Sequence, residues 1–348
     1  MSHALYTRYL EARQQQPQRY ARDLAQHLGV SEGELTRARV GHDARRLQVD
    51  AATLLEACAA LGEIKAITRN EYAVHEHLGR YTNLSLSEHG GLILNPRELD
   101  LRLFLQHWHS VFALCEQSAR GERLSLQCFD QYGDAVHKIY ATEQSDMDAW
   151  QALVERFASP ENPAFPNGTT PPPAASAAMP TVDSAALERE WRAMTDVHQF
   201  FPLLRRHGVT RQQAFAAVAD DLAYPVDNGA LQQILEQARH DQNEIMIFVG
   251  NRGCVQIFTG QIAQVTTHQQ WLNVFNPRFT LHLQAPAIAS SWVTRKPTRD
   301  GIVSSLELFA ADGSQIAQLF GQRTEGNAEQ PRWREQLAAL AALTEVPA

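Results

Sequence analysis

The clearest pattern along the chain is a period-two alternation of apolar and polar residues, the mark of a half-buried β-strand. In Leu99-Asp100-Leu101-Arg102-Leu103-Phe104 the leucines point one way and Asp100, Arg102 and Phe104 the other. Phe279-Thr280-Leu281-His282-Leu283-Gln284 alternates likewise. Two longer stretches, 121–142 and 301–322, are each interrupted by a turn signal and each predict a β-hairpin. The turns are Asp130-Gln131-Tyr132-Gly133 and Ala310-Ala311-Asp312-Gly313. Asn95-Pro96-Arg97 lies beside the first alternating run and Asn276-Pro277-Arg278 beside the second, while Asn70-Glu71 with residues 72–86 matches Asn243-Glu244 with residues 245–259. Landmarks that recur in one order predict a tandem duplication.

Helical patterns precede the strands in both halves. Residues 21–41 carry Leu24 and Leu28, a stop at Gly29, and Ser31 and Glu34 at capping-box spacing for a following helix. In the second half, 187–194 and 195–208 lead to Thr210 and Gln213 at the same spacing. Each half then reads as about eight or nine antiparallel strands closed by an amphipathic helix, at 150–158 and at 332–343. The expected fold class is α+β, a tandem structural duplication in which each half has helices and a large antiparallel β-sheet. Residues 159–182 hold seven of the chain's 16 prolines and read as a linker, giving domains at 1–158 and 183–348.

Composition narrows the classes. At 348 residues, 44% hydrophobic and 20% charged, the chain is an ordinary globular one of about two domains. The 31 basic and 39 acidic side chains leave a net charge of −8, which argues against nucleic acid as a partner. Cys58, Cys115, Cys128 and Cys254 form no CxxC pair, so neither a zinc site nor a disulfide framework is expected, and a reducing compartment fits. No secretion signal and no apolar run of membrane-spanning length is visible, which predicts a cytoplasmic protein without membrane insertion. Nucleotide-binding and serine-hydrolase motifs are absent.

The most informative segment for chemistry is Asp196-Val197-His198-Gln199-Phe200-Phe201, followed by Pro202. A histidine there can present a neutral imidazole to a metal while phenylalanines wall a flat cofactor. Arg102 and Phe104 share one strand face by alternation. His75 and His77 share a strand face, and His107 and His109 flank Trp108, but neither pair has a third ligand at metal-binding spacing. Trp108 and Trp292 read as core.

Taken together with the duplication, TDVHQFFPLL (195–204), LDLRLFLQHW (99–108), WVTRKPTRDGIVSSLELF (292–309) and GSQIAQLFGQR (313–323) resemble the HemS/ChuS family of cytoplasmic haemin-binding proteins from bacterial haem-uptake systems. The resemblance covers nearly the whole chain. It implies haem in a cleft between the halves, His198 as the proximal iron ligand and Arg102 approaching the distal face, with Phe104 on the macrocycle. It also points to Arg211, Lys296, Gln318, Phe320 and Arg323. Strand alternation puts Gln318, Phe320 and Gln322 on one face, so Arg323 joins them only if the chain bends at Gly321. Lys296 and Arg299 are candidates to hold the propionates. His282 answers Arg102 within the duplication, yet the first half has no counterpart of DVHQF, so one principal site is expected.

Two functions follow from the resemblance. One is a haem carrier that accepts haem from an inner-membrane importer and passes it to a downstream acceptor. The other is a haem-degrading enzyme, haem oxygenase-like, with His198 and Arg102 in catalytic roles. No reductant-binding motif is present, so the enzyme would need an external electron donor. The resemblance leaves both open, with the carrier the first reading.

Overall fold

The computed structural model describes residues 2–88, 90–118, 121–166 and 182–341. Helices and antiparallel strands alternate through both halves, the expected α+β duplication. The chain forms two compact units, Met1–Arg69 with His75–Pro172 and Gly250–Gln256, and Asn70–Val74 with Pro173–Val249 and Ile257–Ala348. Each unit thus includes a short turn segment from the other half of the sequence. Of the proline-rich run, 167–181 lies outside the described residues, and before it Phe165 packs edge-on against Phe129.

In the first unit the strands Ala44–Leu47, Ser110–Ser118, Gly121–Phe129, Ala135–Ser145 and Gly62–Arg69 lie side by side in that order. In the second, the order Ala223–Val226, Ser290–Thr298, Gly301–Phe309, Gln315–Gly321, Ile245–Gly250 repeats it. Even the irregularities coincide. The pairing shifts register between Cys128 and Phe129 in one unit and between Leu308 and Phe309 in the other, each at its hairpin turn. Each unit has three further antiparallel strands paired in sequence order: Leu84–Leu86, Gly91–Ile93 and Asp100–Leu103 in the first, Gln264–His268, Trp271–Phe275 and Phe279–Gln284 in the second. One strand and one helix, Ala44–Leu47 and Ala51–Cys58, interrupt the helices-first order read from the sequence, and Ala223–Val226 and Ala230–Asp241 repeat the interruption.

The structure corrects one match between the halves. Asn70 answers Asn251, one strand later than Asn243. Asn70 Oδ1 accepts from the backbone N–H of Tyr72 and Ala73 at 3.0 and 2.9 Å, and Asn251 Oδ1 accepts from Gly253 and Cys254 at 2.9 and 3.0 Å. Both segments are apolar and β-prone, so period alone could not fix the register, and the shared Asn-Glu dipeptide drew the match to the wrong strand.

The helix ends follow the local signals. Ser31 with Glu34 and Thr210 with Gln213 form capping boxes. Gly29 and Gly208 close the preceding helices at φ 71° and 62°, a left-handed conformation that glycine adopts without a Cβ clash. In the second unit Trp191, Phe200, Phe215, Trp292 and Phe309 form an aromatic core between helices and sheet, and this core positions the residues considered next.

Candidate haem-ligating site

His198 sits in a one-turn 3₁₀ helix, Val197–Gln199, whose N-cap is Asp196. One carboxylate oxygen of Asp196, Oδ1, accepts the His198 backbone N–H at 2.8 Å and lies 2.7 Å from the ring Nδ1. Gln199 Oε1 closes the box by accepting from the N–H of Thr195 and Asp196 at 2.8 and 3.3 Å. The imidazole is 90% exposed, so an Nδ1 engaged by carboxylate leaves Nε2 as the outward nitrogen. A metal-ligating histidine has this arrangement, its second nitrogen bonded to a carboxylate that fixes the tautomer and raises ligand basicity. The backbone N–H and ring of His198 hold the Asp196 carboxyl below its usual range, and Arg323 adds to the effect.

Beneath this turn Phe200 is buried against Trp191, with ring centroids 4.6 Å apart, while Phe201 beside it is 65% exposed. The anchoring is rigid: Trp191 Nε1 donates to the Arg295 carbonyl at 2.9 Å, and the Arg299 N–H donates to the Thr195 carbonyl at 3.0 Å. The turn is therefore tied to the end of the Ser290–Thr298 strand on both sides.

Arg211 and Lys296 meet at Glu307, a side chain with no exposure at all. Arg211 donates through Nε and Nη2 at 2.8 Å each, and Lys296 Nζ at 2.9 Å. Ser305 Oγ and Gln315 Nε2 also donate to the same carboxylate, at 3.1 and 2.9 Å. Burial alone would raise the Glu307 carboxyl, but Arg211 and Lys296 hold it well below the usual range. Burial lowers Lys296 to about 8, against the pull of Glu307. Both cations also lie over aromatic faces, Lys296 Nζ 4.8 Å and the Arg211 guanidinium carbon 5.0 Å from the Phe200 centroid. Two cations and one carboxylate leave the cluster one positive charge.

That network reaches outward through Gln315, whose Oε1 accepts from Gln318 Nε2 at 2.8 Å. Gln318 and Phe320 alternate with buried Ala317 and Leu319, as period two requires, and Phe320 packs edge-on to Phe248. The strand ends at Gly321, where a Cβ would meet Trp333 at 2.6 Å. Arg323, past that end, sits 3.8 Å from Asp300 and is near enough to His198's turn to act on Asp196. Arg299 is exposed.

In the first unit Arg102 and Asp100 share a strand face and form an ion pair. Arg102 Nη1 also donates to the Leu101 carbonyl at 3.1 Å, and about a third of its side chain remains exposed. Asp100 is buried, which raises its carboxyl, with Arg102 opposing. Phe104 is 39% exposed, and its N–H donates to the Gly253 carbonyl at 3.0 Å.

The other candidates take structural places. Trp292 lies in the aromatic core and Trp108 is half-buried against the first unit's core. His75 and His77 do share a face, but it is the buried one. Among the described residues no three of His, Cys, Asp or Glu gather to hold a metal ion. His282 Nδ1 is 2.6 Å from Asn273 Oδ1. With Gly29 aligned on Gly208, the His198 position in the first half is Arg19, and the Arg211 position, next to the cap, is Glu32, which pairs with Lys138 at 2.5 Å. The functional partners missed from sequence are Asp196, Asp100 and Glu307. An Asp two residues before a helical His, and a lone acid inside the apolar run Ser304-Ser305-Leu306-Glu307-Leu308-Phe309, were the available signals.

Comparison with known proteins places the chain. The haemin-degrading HemS.ChuX domain matches twice, at residues 29–157 and 208–340. The chain is 63% identical over 340 residues to the hemin transport protein HmuS of Yersinia pestis, covering 98% of each chain. Among solved structures, it superposes on the heme-degrading enzyme ChuS of Escherichia coli O157:H7 with a TM-score of 0.92 at 57% identity, covering 98% of this chain and 100% of the other. It also superposes on the heme-binding protein PhuS of Pseudomonas aeruginosa in its holo form, with a TM-score of 0.94 at 44% identity over 99% and 100% of the two chains. The double domain match, extended over nearly the full length by these relatives, makes the chain a member of the HemS/ChuX family.

Proposed function

We propose that this chain is a cytoplasmic haem-binding and trafficking protein of a bacterial haem-uptake system, taking haem from an inner-membrane importer and passing it to an acceptor. The observation that carries the reading is His198, an exposed imidazole whose Nδ1 is held by Asp196 and whose Nε2 faces outward. In this reading Nε2 would ligate the haem iron. Arg102 would offer a hydrogen-bond donor toward the bound haem, and Phe104 and Phe320 would pack on the macrocycle. Gln318, Arg323 and the net positive Arg211–Lys296–Glu307 cluster receive the propionates by charge-assisted hydrogen bonds. No described helix is long and apolar enough to cross a membrane.

Titration of haemin into the purified protein tests this reading: a shifted Soret band should saturate at one equivalent, and a featureless titration rejects it. Asp196→Asn is expected to keep one equivalent but weaken affinity roughly 10- to 100-fold, because an amide donates less electron density to the ring than a carboxylate. The iron reduction potential should also rise in that variant, a shift that a purely structural loss at the N-cap would not produce.

A second reading, haem degradation, is favoured by the ion-paired Arg102 donor. Haem supplies the redox chemistry, and the chain's part is to orient it and to place the guanidinium. Under air with ascorbate or an electron-transfer partner, and with catalase present, degradation bleaches the Soret band and releases iron. Arg102→Ala should slow bleaching more than it weakens binding. Equal losses in rate and affinity would make Arg102 a packing residue.

A further inference from the structure

The core of the first unit contains a continuous polar chain that haem ligation does not use. Tyr81 Oη lies 2.6 Å from His137 Nε2, His137 Nδ1 lies 2.9 Å from Thr68 Oγ1, and the Thr68 hydroxyl donates to Cys254 Sγ at 3.4 Å. All four side chains are fully buried, none more than 1% exposed. Since the single hydroxyl hydrogen of Thr68 goes to sulfur, its oxygen accepts from Nδ1–H, which leaves Nε2 to accept the phenolic hydrogen of Tyr81. Burial lowers His137 to about 3, so its ring is a neutral base. Half-buried Trp108 lies beside it, with ring centroids 5.8 Å apart. Its Nε1 donates at 2.8 Å to the Gly253 carbonyl, which also accepts the N–H of Phe104.

The duplication supplies an internal control. In the register that equates Ser110 with Ser290 and Gly79 with Gly260, the places of Thr68, Tyr81, Trp108 and His137 are taken by Val249, Ile262, Ile288 and Ala317. Ala73 stands at the place of Cys254. All five belong to the apolar core of the second unit. The same fold therefore closes without a polar chain here, and replacing both partners of a buried hydrogen bond by apolar groups is close to neutral for stability. A stabilising role does not account for a phenol, an imidazole and an indole gathered in one repeat only.

We propose that Trp108, Tyr81 and His137 form a one-electron relay. A strong one-electron oxidant takes an electron from the Trp108 indole, and Tyr81 refills it. The phenolic proton moves along the short hydrogen bond to His137 Nε2, leaving a neutral phenoxyl radical and an imidazolium that still donates to Thr68. One electron leaves the protein and no proton does. In use the oxidant would be haem iron reacting with dioxygen or peroxide. Only that last statement rests on the haem reading, and the test below needs no haem.

Flash oxidation of the full-length, haem-free protein with photogenerated ruthenium(III) tris(bipyridine), using persulfate as the sacrificial acceptor, supplies the oxidant. High-field electron paramagnetic resonance of the frozen sample is the readout. The wild type is expected to give a phenoxyl signal with the g-shift of a single fixed hydrogen bond, distinct from the broad signal of exposed phenols such as Tyr20. Tyr81→Phe should lose that component, and His137→Ala should replace it with an indole signal. Identical spectra for wild type and Tyr81→Phe overturn the relay. If either core variant fails to fold, Trp108→Phe decides, since its ring is only half-buried: a diminished Tyr81 signal supports the relay, and an undiminished one overturns it.

Discussion

Replacing Glu307 by alanine is expected to destabilise the chain by about 3–5 kcal/mol, because removing one partner of a buried ionic cluster leaves the others desolvated and unpaired. For a unit of this size that lowers the melting temperature by roughly 10 °C. The guanidinium of Arg211 and the ammonium of Lys296 both point at this carboxylate and lie over the rings of Phe200 and Phe215, Lys296 almost wholly buried and Arg211 about a quarter exposed. Replacing all three with apolar residues of similar volume should recover most of the loss. A melting series over the single and triple variants checks both statements, and a triple variant no more stable than the single one would show that the cluster is not acting as a unit.

The same cluster sets a pH dependence. The Glu307 carboxyl is lower in the folded chain than its usual 4.5, so its contribution is fully present above that pH and is lost as pH falls. Lys296 works in the opposite sense. Its folded value of about 8 lies below the usual 10.5, so between these values the unfolded chain binds the extra proton and stability rises with pH. Glu307→Gln should flatten the acid limb of a stability profile and enlarge the alkaline rise, because without the pull of Glu307 the Lys296 ammonium falls further below its usual 10.5.

Much of this was legible in the residues. Alternation placed Asp100 and Arg102 on one strand face, though the strand ends at Leu103 before Phe104; the turn signals located both hairpins, and capping spacing located two helix starts, because each depends on neighbours within a few positions. The strand register between halves was not legible, since two apolar β-prone segments satisfy the same period. Nor was the burial of Lys296. A lysine in Arg295-Lys296-Pro297-Thr298-Arg299 reads as a solvated charge near a loop, and only the sheet, by setting Glu307 eleven residues away beside it, makes an interior ammonium tolerable. Asp196 was visible as a letter but not as a partner, because its role depends on the sharp 3₁₀ turn that brings Oδ1 back to Nδ1.

His198→Ala should abolish most of the haemin-induced Soret shift while leaving the fold untouched. The ring is 90% exposed and Asp196 keeps its bond to the residue-198 backbone N–H whatever the side chain, so the 3₁₀ turn survives the substitution. The melting temperature should not change. What disappears is one iron–nitrogen bond; a loss of about 3 kcal/mol there weakens affinity by roughly 100-fold, with apolar contacts to the macrocycle sustaining residual binding. Free imidazole, small enough to occupy the vacated space beside Asp196, should restore a histidine-like spectrum in the variant and not alter the wild type. An unchanged titration in His198→Ala, or a variant spectrum indifferent to imidazole, would assign the axial bond to another residue and remove the basis on which this turn was read as the haem-ligating element.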